Sequence, residues 1–242
     1  MNIDKLLLLL GDDYEINEHI KIKQPTLRDI ANYHEDKYWG LITTICATSF
    51  DLRFQLDDMG FDYEDVDDFT VFGLVAPGMS IEDTRILFGD FDFQKLKPIL
   101  SEEEIILVNE ETGAVIDRVI YELIVGYIRN VHGLKRNYKV AGNKAARKFY
   151  MEEERRQLEE KAASNKNENK SMFASLISSM INVPGFNYNY SSIWDLKVYQ
   201  FMDACKRARK IMDYKNLMTG VYTGNIDGKS LHRNQIDWQG EL

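Results

Sequence analysis

The pattern of apolar and polar positions is clearest between Asp117 and His132. Apolar residues recur there at steps of three and four, which places them on one broad face of a helix. Asp117 stands where a side-chain oxygen can cap the first turn, and Gly133 stands where a left-handed residue ends a helix. The pattern therefore predicts a central helix at 117–132, on which the shorter segments of the chain pack.

Two hairpins are predicted on either side of several short helices. Leu6–Leu10 and Tyr14–Lys23 flank Gly-Asp-Asp, and the second segment alternates apolar and charged residues, so 6–23 reads as a β-hairpin. Ile105–Ile116 reads as a second hairpin with a glycine in its turn. Three capping boxes, each a Ser or Thr followed three residues later by Asp, predict helix starts at Thr26, Ser80 and Ser192. The last of these helices is expected to run to about Met212.

The resulting expectation is a mainly α fold with small β-hairpins, of the α+β class. An acidic N-terminal helical domain of irregular arrangement, residues 1–161, contains the central helix. Residues 162–170 form a linker, because 164–170 contain no apolar side chain. Residues 171–242 form a short C-terminal helical segment.

Charge divides the chain in two. Residues 1–121 carry 10 Lys and Arg against 26 Asp and Glu, whereas residues 122–242 carry 20 against 13, and the whole chain has a net charge of −9. This acidity argues against general nucleic-acid binding. An acidic run at 51–68 and a basic run at 129–148 stand out within the two halves.

Each charged run can be interpreted either as a solvated surface or as a surface that takes part in binding. The acidic run is either a solvated face or a docking patch for a basic partner. The basic run is either a nucleic-acid-binding patch, for which Tyr138 is the one aromatic residue in support, or an exposed helix or a complement to the acidic half, which we favour. If the two surfaces lie apart, weak head-to-tail self-association that is sensitive to salt should follow. The residues that we consider candidates for partner binding are Asp57, Asp58, Asp62, Asp65, Asp68, Arg129, Lys135, Arg136 and Lys139.

Motifs for catalysis and metal binding are missing from the sequence. The four histidines are dispersed, and Cys46 and Cys205 are too far apart for a zinc-ligand spacing. The stretch from Gly224 to Ser230 resembles a phosphate-binding loop, but it has three residues between its glycines where the motif needs four. His132, near the C-terminal end of the central helix, is expected to make a favourable contact with the helix dipole rather than to act as a base. We expect no enzymatic activity and no cofactor.

The sequence also bears on location. Leu6–Leu10 is too short for the apolar part of a signal peptide, and no later stretch approaches the ~20 apolar residues that span a bilayer. Two dispersed cysteines are typical of a reducing compartment. These features predict a soluble, cytoplasmic protein with no membrane partner.

Several segments together resemble proteins encoded in the tail modules of long-tailed phages and prophages of Gram-positive bacteria. The resemblance is carried by 24–27 (QPTL), 36–48 (DKYWGLITTICAT), 76–80 (APGMS), 85–93 (RILFGDFDF), 183–196 (VPGFNYNYSSIWDL), 218–227 (MTGVYTGNID) and Asp237-Trp238. It implies a tail-morphogenesis factor such as a tail assembly chaperone. A tape measure or tail tube protein would be its partner, and the host cytoplasm its location. The alternative is a structural tail or adaptor protein that remains in the virion.

Overall fold

The computed structural model describes residues 3–101, 104–164 and 171–240; of residues 161–164 it describes the backbone alone. Helices account for 57% of the structure, beside two small antiparallel sheets, so the predicted mainly helical α+β fold is confirmed. The helices are α1 (Lys5–Leu10), α2 (Leu27–Tyr33), α3 (Glu35–Ile45), α4 (Arg53–Asp58), α5 (Asp68–Val75), α6 (Ile81–Phe88), α7 (Arg118–His132), α8 (Lys144–Ser164), α9 (Met172–Ile181), α10 (Val198–Tyr222) and α11 (Arg233–Ile236). The strands are β1 (Tyr14–Glu15), β2 (Lys21–Ile22), β3 (Lys97–Ser101), β4 (Glu104–Val108) and β5 (Val115–Ile116).

The central helix is α7, and it has the predicted bounds and caps. The Asp117 side chain accepts a hydrogen bond from the N–H of Ile120, and Gly133 adopts the left-handed conformation at φ 64°. Ile124 and Ile128 are almost completely buried. The apolar face of α7 therefore forms part of the main core, as its spacing predicts.

The first helix replaces a predicted strand. Leu6–Leu10 belongs to α1, and the first hairpin is reduced to the pairing of β1 with β2. Asp4 caps α1 by accepting the N–H of Leu6, and Gly11 ends it in the left-handed conformation at φ 79°. A Cβ at Gly11 would come within 2.8 Å of Cγ of Lys197, so the glycine is needed for space as well as for its φ.

The second sheet has one strand more than predicted. The expected hairpin of β4 and β5 is present, and β3 adds to it in the order β3-β4-β5. Leu107 pairs with Pro98 on one side and with Ile116 on the other, so these three side chains share a face. Leu107 and Ile116 are buried, which makes this the inner face of the sheet.

The C-terminal region also differs from the prediction at its start. Ser192 does not cap a helix, because its hydroxyl is engaged with Asn189; a short 3₁₀ turn at Ile193–Asp195 follows, and α10 begins only at Val198. The same helix then continues through Tyr222, well beyond the predicted end near Met212. The apolar positions of this stretch maintain helical spacing, so nothing interrupts it before Thr223.

Side chains from both sides of the predicted linker share one core. Phe173 of α9 stacks on Trp39 of α3 with ring centroids 5.8 Å apart, and Phe201 of α10 packs on Phe173. The predicted linker covers the last residues of α8 and then 165–170, which lie outside the described residues. The division into 1–161 and 171–242 stays a prediction.

Candidate functional site

The acidic and basic runs face each other within the molecule. Arg147 of α8 holds the carboxylate of Asp62 through two hydrogen bonds of 2.9 and 2.6 Å, and its guanidinium also lies 4.7 Å from the centre of the Tyr63 ring. Hydrogen bonding from Arg147 lowers the pKa of Asp62. An arginine that donates to both oxygens of a carboxylate forms a stronger pair than one that makes a single hydrogen bond.

A second pair lies deeper between the same two runs. Asp68 is 4% exposed and accepts a hydrogen bond of 2.6 Å from Arg136 and one of 3.2 Å from the N–H of Ser49. Arg136 also reaches Glu122 of α7 at 3.3 Å. The carboxylate is therefore paired and hydrogen-bonded, as a buried charge must be.

Arg53 is a residue that the sequence did not single out, and it anchors α4 to α8. Its guanidinium lies 5.6 Å from the ring centres of both Tyr63 and Tyr150, it donates to the carbonyl of Phe50 at 2.8 Å, and Glu154 approaches it at 3.3 Å. Nothing in the local sequence marks this arginine, because its partners in α8, Tyr150 and Glu154, are about 100 residues away in the chain.

The remaining predicted residues have weaker or no contacts between the two runs. Arg129 donates to the carbonyl of Cys46 at the end of α3, at 2.7 Å, and Lys139 lies 4.6 Å from the centre of the Tyr150 ring. Asp58 is 3.5 Å from Arg155. Asp57, Asp65 and Lys135 are exposed and form no ion pair with any described residue. The condition for head-to-tail association through these two runs, that they lie apart, is thus not met, and their role in partner binding stays a prediction.

A different surface presents apolar side chains to solvent. Four of the five leucines of α1 are exposed, with fractions of 73% for Leu6, 56% for Leu7, 40% for Leu9 and 61% for Leu10, while Leu8 is buried. We call these four side chains the leucine surface. So many exposed leucines on one short helix form a patch of the kind that marks an interaction site.

The leucine surface is fixed in place by glutamine side chains from two other parts of the chain, the connection before α2 and the helix α10. The carbonyl of Leu8 accepts a hydrogen bond of 3.1 Å from the amide of Gln24, and the carbonyl of Leu9 accepts one of 2.7 Å from Gln200 of α10. These bonds satisfy carbonyls at the end of α1 that the helix itself leaves unpaired. The leucines are therefore presented by an anchored helix.

His132 is neutral rather than cationic, which corrects the expectation of a charge–dipole contact. One ring nitrogen, Nδ1, lies 2.6 Å from the carbonyl of Ile128, and the other, Nε2, lies 2.5 Å from the hydroxyl of Tyr38. A carbonyl can only accept, so Nδ1 carries the proton and Nε2 accepts from Tyr38. Desolvation lowers the pKa of His132 to about 4.

The loop from Gly224 to Ser230 does not have the geometry of a phosphate site. Its last three residues form a 3₁₀ turn in which the side chain of Asp227 accepts the N–H of Lys229 at 3.0 Å. The hydroxyl of Ser230 donates to the Asp227 carbonyl at 2.7 Å. A carboxylate thus occupies the position where a phosphate would need free N–H donors.

The C-terminal segment is similar to a known phage domain. Residues 165–240 match the family model described as the YomV second domain. That family is phage-derived, YomV being a Bacillus prophage protein, and the match fits a phage protein. It covers just under a third of the chain and does not reach the residues before 165. No curated protein and no solved structure matches the chain.

The matched segment is bound closely to the rest of the molecule. The carboxylate of Glu35 in α3 accepts the N–H groups of Met172 and Phe173 at 3.0 and 3.1 Å, which caps α9 from outside the segment. The carbonyl of Leu196 accepts the N–H of Leu27, and the N–H of Val198 donates to the carbonyl of Pro25, both at 3.0 Å. The segment is thus held by backbone hydrogen bonds as well as by apolar packing.

The described residues contain neither a metal-binding cluster nor a membrane-spanning helix. No group of three or more His, Cys, Asp or Glu side chains there is arranged to hold a metal ion. None of the described helices combines the length and the hydrophobicity needed to cross a membrane.

Proposed function

We propose that the protein is a phage tail-morphogenesis factor that acts as an assembly chaperone. Its partner would be an elongated helical protein of the tail, such as a tape measure protein. The leucine surface carries this proposal, and the similarity of residues 165–240 to a phage-derived domain supports the phage setting.

The leucine surface suits a helical partner that is itself apolar. Leu6, Leu7 and Leu10 project from a single turn and a half of helix, and burying each of them would contribute about 1.5–3 kcal/mol of transfer free energy. A partner of this kind, a long helix with an apolar stripe, would need that stripe to be covered before assembly. An anchored patch of leucines binds such a stripe without first having to become ordered.

The same proposal includes the absence of catalysis. Burial raises the pKa of the Cys46 thiol to about 12 and that of Cys205 to about 11, so neither is a thiolate nucleophile at neutral pH. His132 is bonded at both ring nitrogens, which leaves it no free nitrogen to act as a base. We therefore propose a binding protein without enzymatic activity.

Mass spectrometry of purified phage particles tests this proposal against its alternative. A chaperone is expected to be abundant in lysates of producing cells and absent from the particles. Recovery of the protein in stoichiometric amounts with the tail proteins would contradict the chaperone role and support a structural virion component.

A further inference from the structure

The inner face of the three-stranded sheet extends beyond the body of the protein. Leu107 and Ile116 are buried at the base of this face, whereas Leu100 and Ile105, a directly opposed pair further along it, are 73% and 54% exposed. Pro98 shares the face and is also exposed. We call Pro98, Leu100 and Ile105 the hairpin surface. An apolar face that is buried at one end and open at the other lacks a covering layer there.

The free edge of this sheet is poorly suited to another strand, so the surface itself is the place for a partner. The N–H of Asn109 bonds to the carbonyl of Ala114, which points Asn109 towards β5 and Val108 towards β3. Alternation along the ladder then directs the backbone of Pro98 and Leu100 to the outer edge. Pro98 has no N–H to donate there, and a proline at this position opposes strand addition.

The chain also contains a helical region with the complementary chemistry. From Met202 to Gly240, all of which is described, no residue is fully buried. We call this region the arm. It consists of most of α10 with the C-terminal tail folded back along it. Arg207 of α10 holds the tail by donating to the carbonyls of Trp238 and Gly240 at 2.6 and 3.0 Å. Two thin layers bury little apolar surface, so the arm has an incomplete core.

The outward side of the arm combines apolar and basic groups. Met212 and Tyr222 are 42% and 82% exposed, and Lys215 lies between them on the same side of α10. The arm carries seven Lys and Arg against four Asp, a net charge of +3. The hairpin lies in the acidic half, and the sequence has three consecutive glutamates at 102–104, of which Glu104 is described and exposed.

We propose that the arm of one copy of this protein docks on the hairpin surface of a second copy. The apolar side chains of Met212 and Tyr222 cover Leu100 and Ile105, and the basic residues of the arm face Glu104. The two surfaces are different parts of the chain, so the contact is head-to-tail and can propagate. This proposal does not rest on the proposed chaperone function, and either can fail without the other.

Sedimentation velocity of the full chain at increasing concentration tests the contact. The parent is expected to associate reversibly. Association should be weaker in about 500 mM than in about 50 mM salt, because the shorter Debye length at higher ionic strength screens the contacts between charged groups. A hairpin variant, Leu100→Thr with Ile105→Thr, and an arm variant, Met212→Gln with Tyr222→Gln, should each associate at least about tenfold more weakly. Tyr190→Gln, at a residue 62% exposed outside both surfaces, is the matched control and should associate as the parent does.

Mixing the two variants identifies the geometry. Each variant retains the surface that the other lacks, so an equimolar mixture should form dimers and nothing larger. All variants change exposed side chains, and equal melting temperatures would show that they are folded. A parent that stays monomeric up to about 1 mM, or a mixture that associates no better than its components, would overturn the proposal.

Discussion

At the scale of single residues, His132 shows how a polar group can sit against the core without charge. Its ring packs against both Tyr38 and Trp39, with centroids 5.6 and 5.7 Å away, and both nitrogens have partners within the protein. Protonating the ring would put a second donor opposite the Tyr38 hydroxyl and a charge in a poorly solvated place. The folded state therefore resists protonation, as the lowered pKa of about 4 expresses.

This lowered pKa predicts a loss of stability in mild acid. An unfolded histidine titrates near 6.5, so between pH 6.5 and 4 the unfolded state binds more protons than the folded one. The free energy of unfolding should fall across that range, by at most roughly 3 kcal/mol from this residue. Chemical denaturation at several pH values, compared with His132→Asn, measures the effect. Parallel pH profiles for parent and variant would contradict it.

Asp62 and Arg147 form the best-defined ion pair between the acidic and basic runs. Their side chains are 39% and 28% exposed, so the coupling is partly screened by solvent. A double-mutant cycle with Asp62→Asn and Arg147→Gln should give a coupling of about 1 kcal/mol. The pair of Arg28 and Asp195, which is more exposed and makes a single hydrogen bond, is the control, and its coupling energy should be near zero. Equal couplings would show that the two-bond geometry contributes nothing.

Such pairs could not have been predicted from the sequence. Arg147 and Asp62 are 85 residues apart, and the charge pattern shows only that both runs exist. Which carboxylate meets which guanidinium depends on where α8 packs. Arg53 and Glu154 depend on the same packing. The sequence could indicate a complement between the two halves, but it could not identify the partners.

At the scale of elements, the capping signals in the sequence locate both ends of α7 but neither end of α10, where Ser192 does not cap and the helix continues past Met212. The caps of α7 at Asp117 and Gly133 lie where predicted, because a side-chain oxygen and a left-handed glycine act locally. Five leucines in a row have neither the two-residue period of a strand nor the roughly 3.6-residue period of a helix, so the pattern does not identify Leu6–Leu10 as helical. The helical signals there were Asp4 and Gly11. The strand β3 was missed because all its side chains are exposed and it contains a proline.

A substitution within α7 tests whether this helix forms the core. Ile124 is completely buried, so Ile124→Asp leaves an unpaired charge there at a cost of several kcal/mol, against a total stability of roughly 5–15 kcal/mol. We expect the variant to be unfolded by circular dichroism. Val119→Asp is the control, because that residue of the same helix is 66% exposed and lies in the first turn, where an acid is favourable. An Ile124→Asp protein that melts like the parent would contradict this account of the core.

At the scale of the whole molecule, charge and apolar surface have separate roles. The acidic and basic runs meet inside the molecule, where Arg136 and Arg147 hold Asp68 and Asp62, so much of their attraction is used in packing α8 and its preceding loop. The exposed apolar surfaces, which the charge pattern did not indicate, remain available to partners. We propose that the leucine surface of α1 holds an apolar helical partner in solution.

Co-expression with the tape measure protein encoded in the same genome tests that claim most directly. The measurement is the fraction of tape measure protein that stays soluble. It is made with the parent, with a triple variant that carries Leu6→Gln, Leu7→Gln and Leu10→Gln, and with a control. The control is Val119→Gln, which changes an exposed apolar side chain elsewhere. We expect a large soluble fraction with the parent and the control, and its loss with the leucine variant. A leucine variant that keeps the tape measure protein as soluble as the parent does, or a parent that gives no gain, would contradict it.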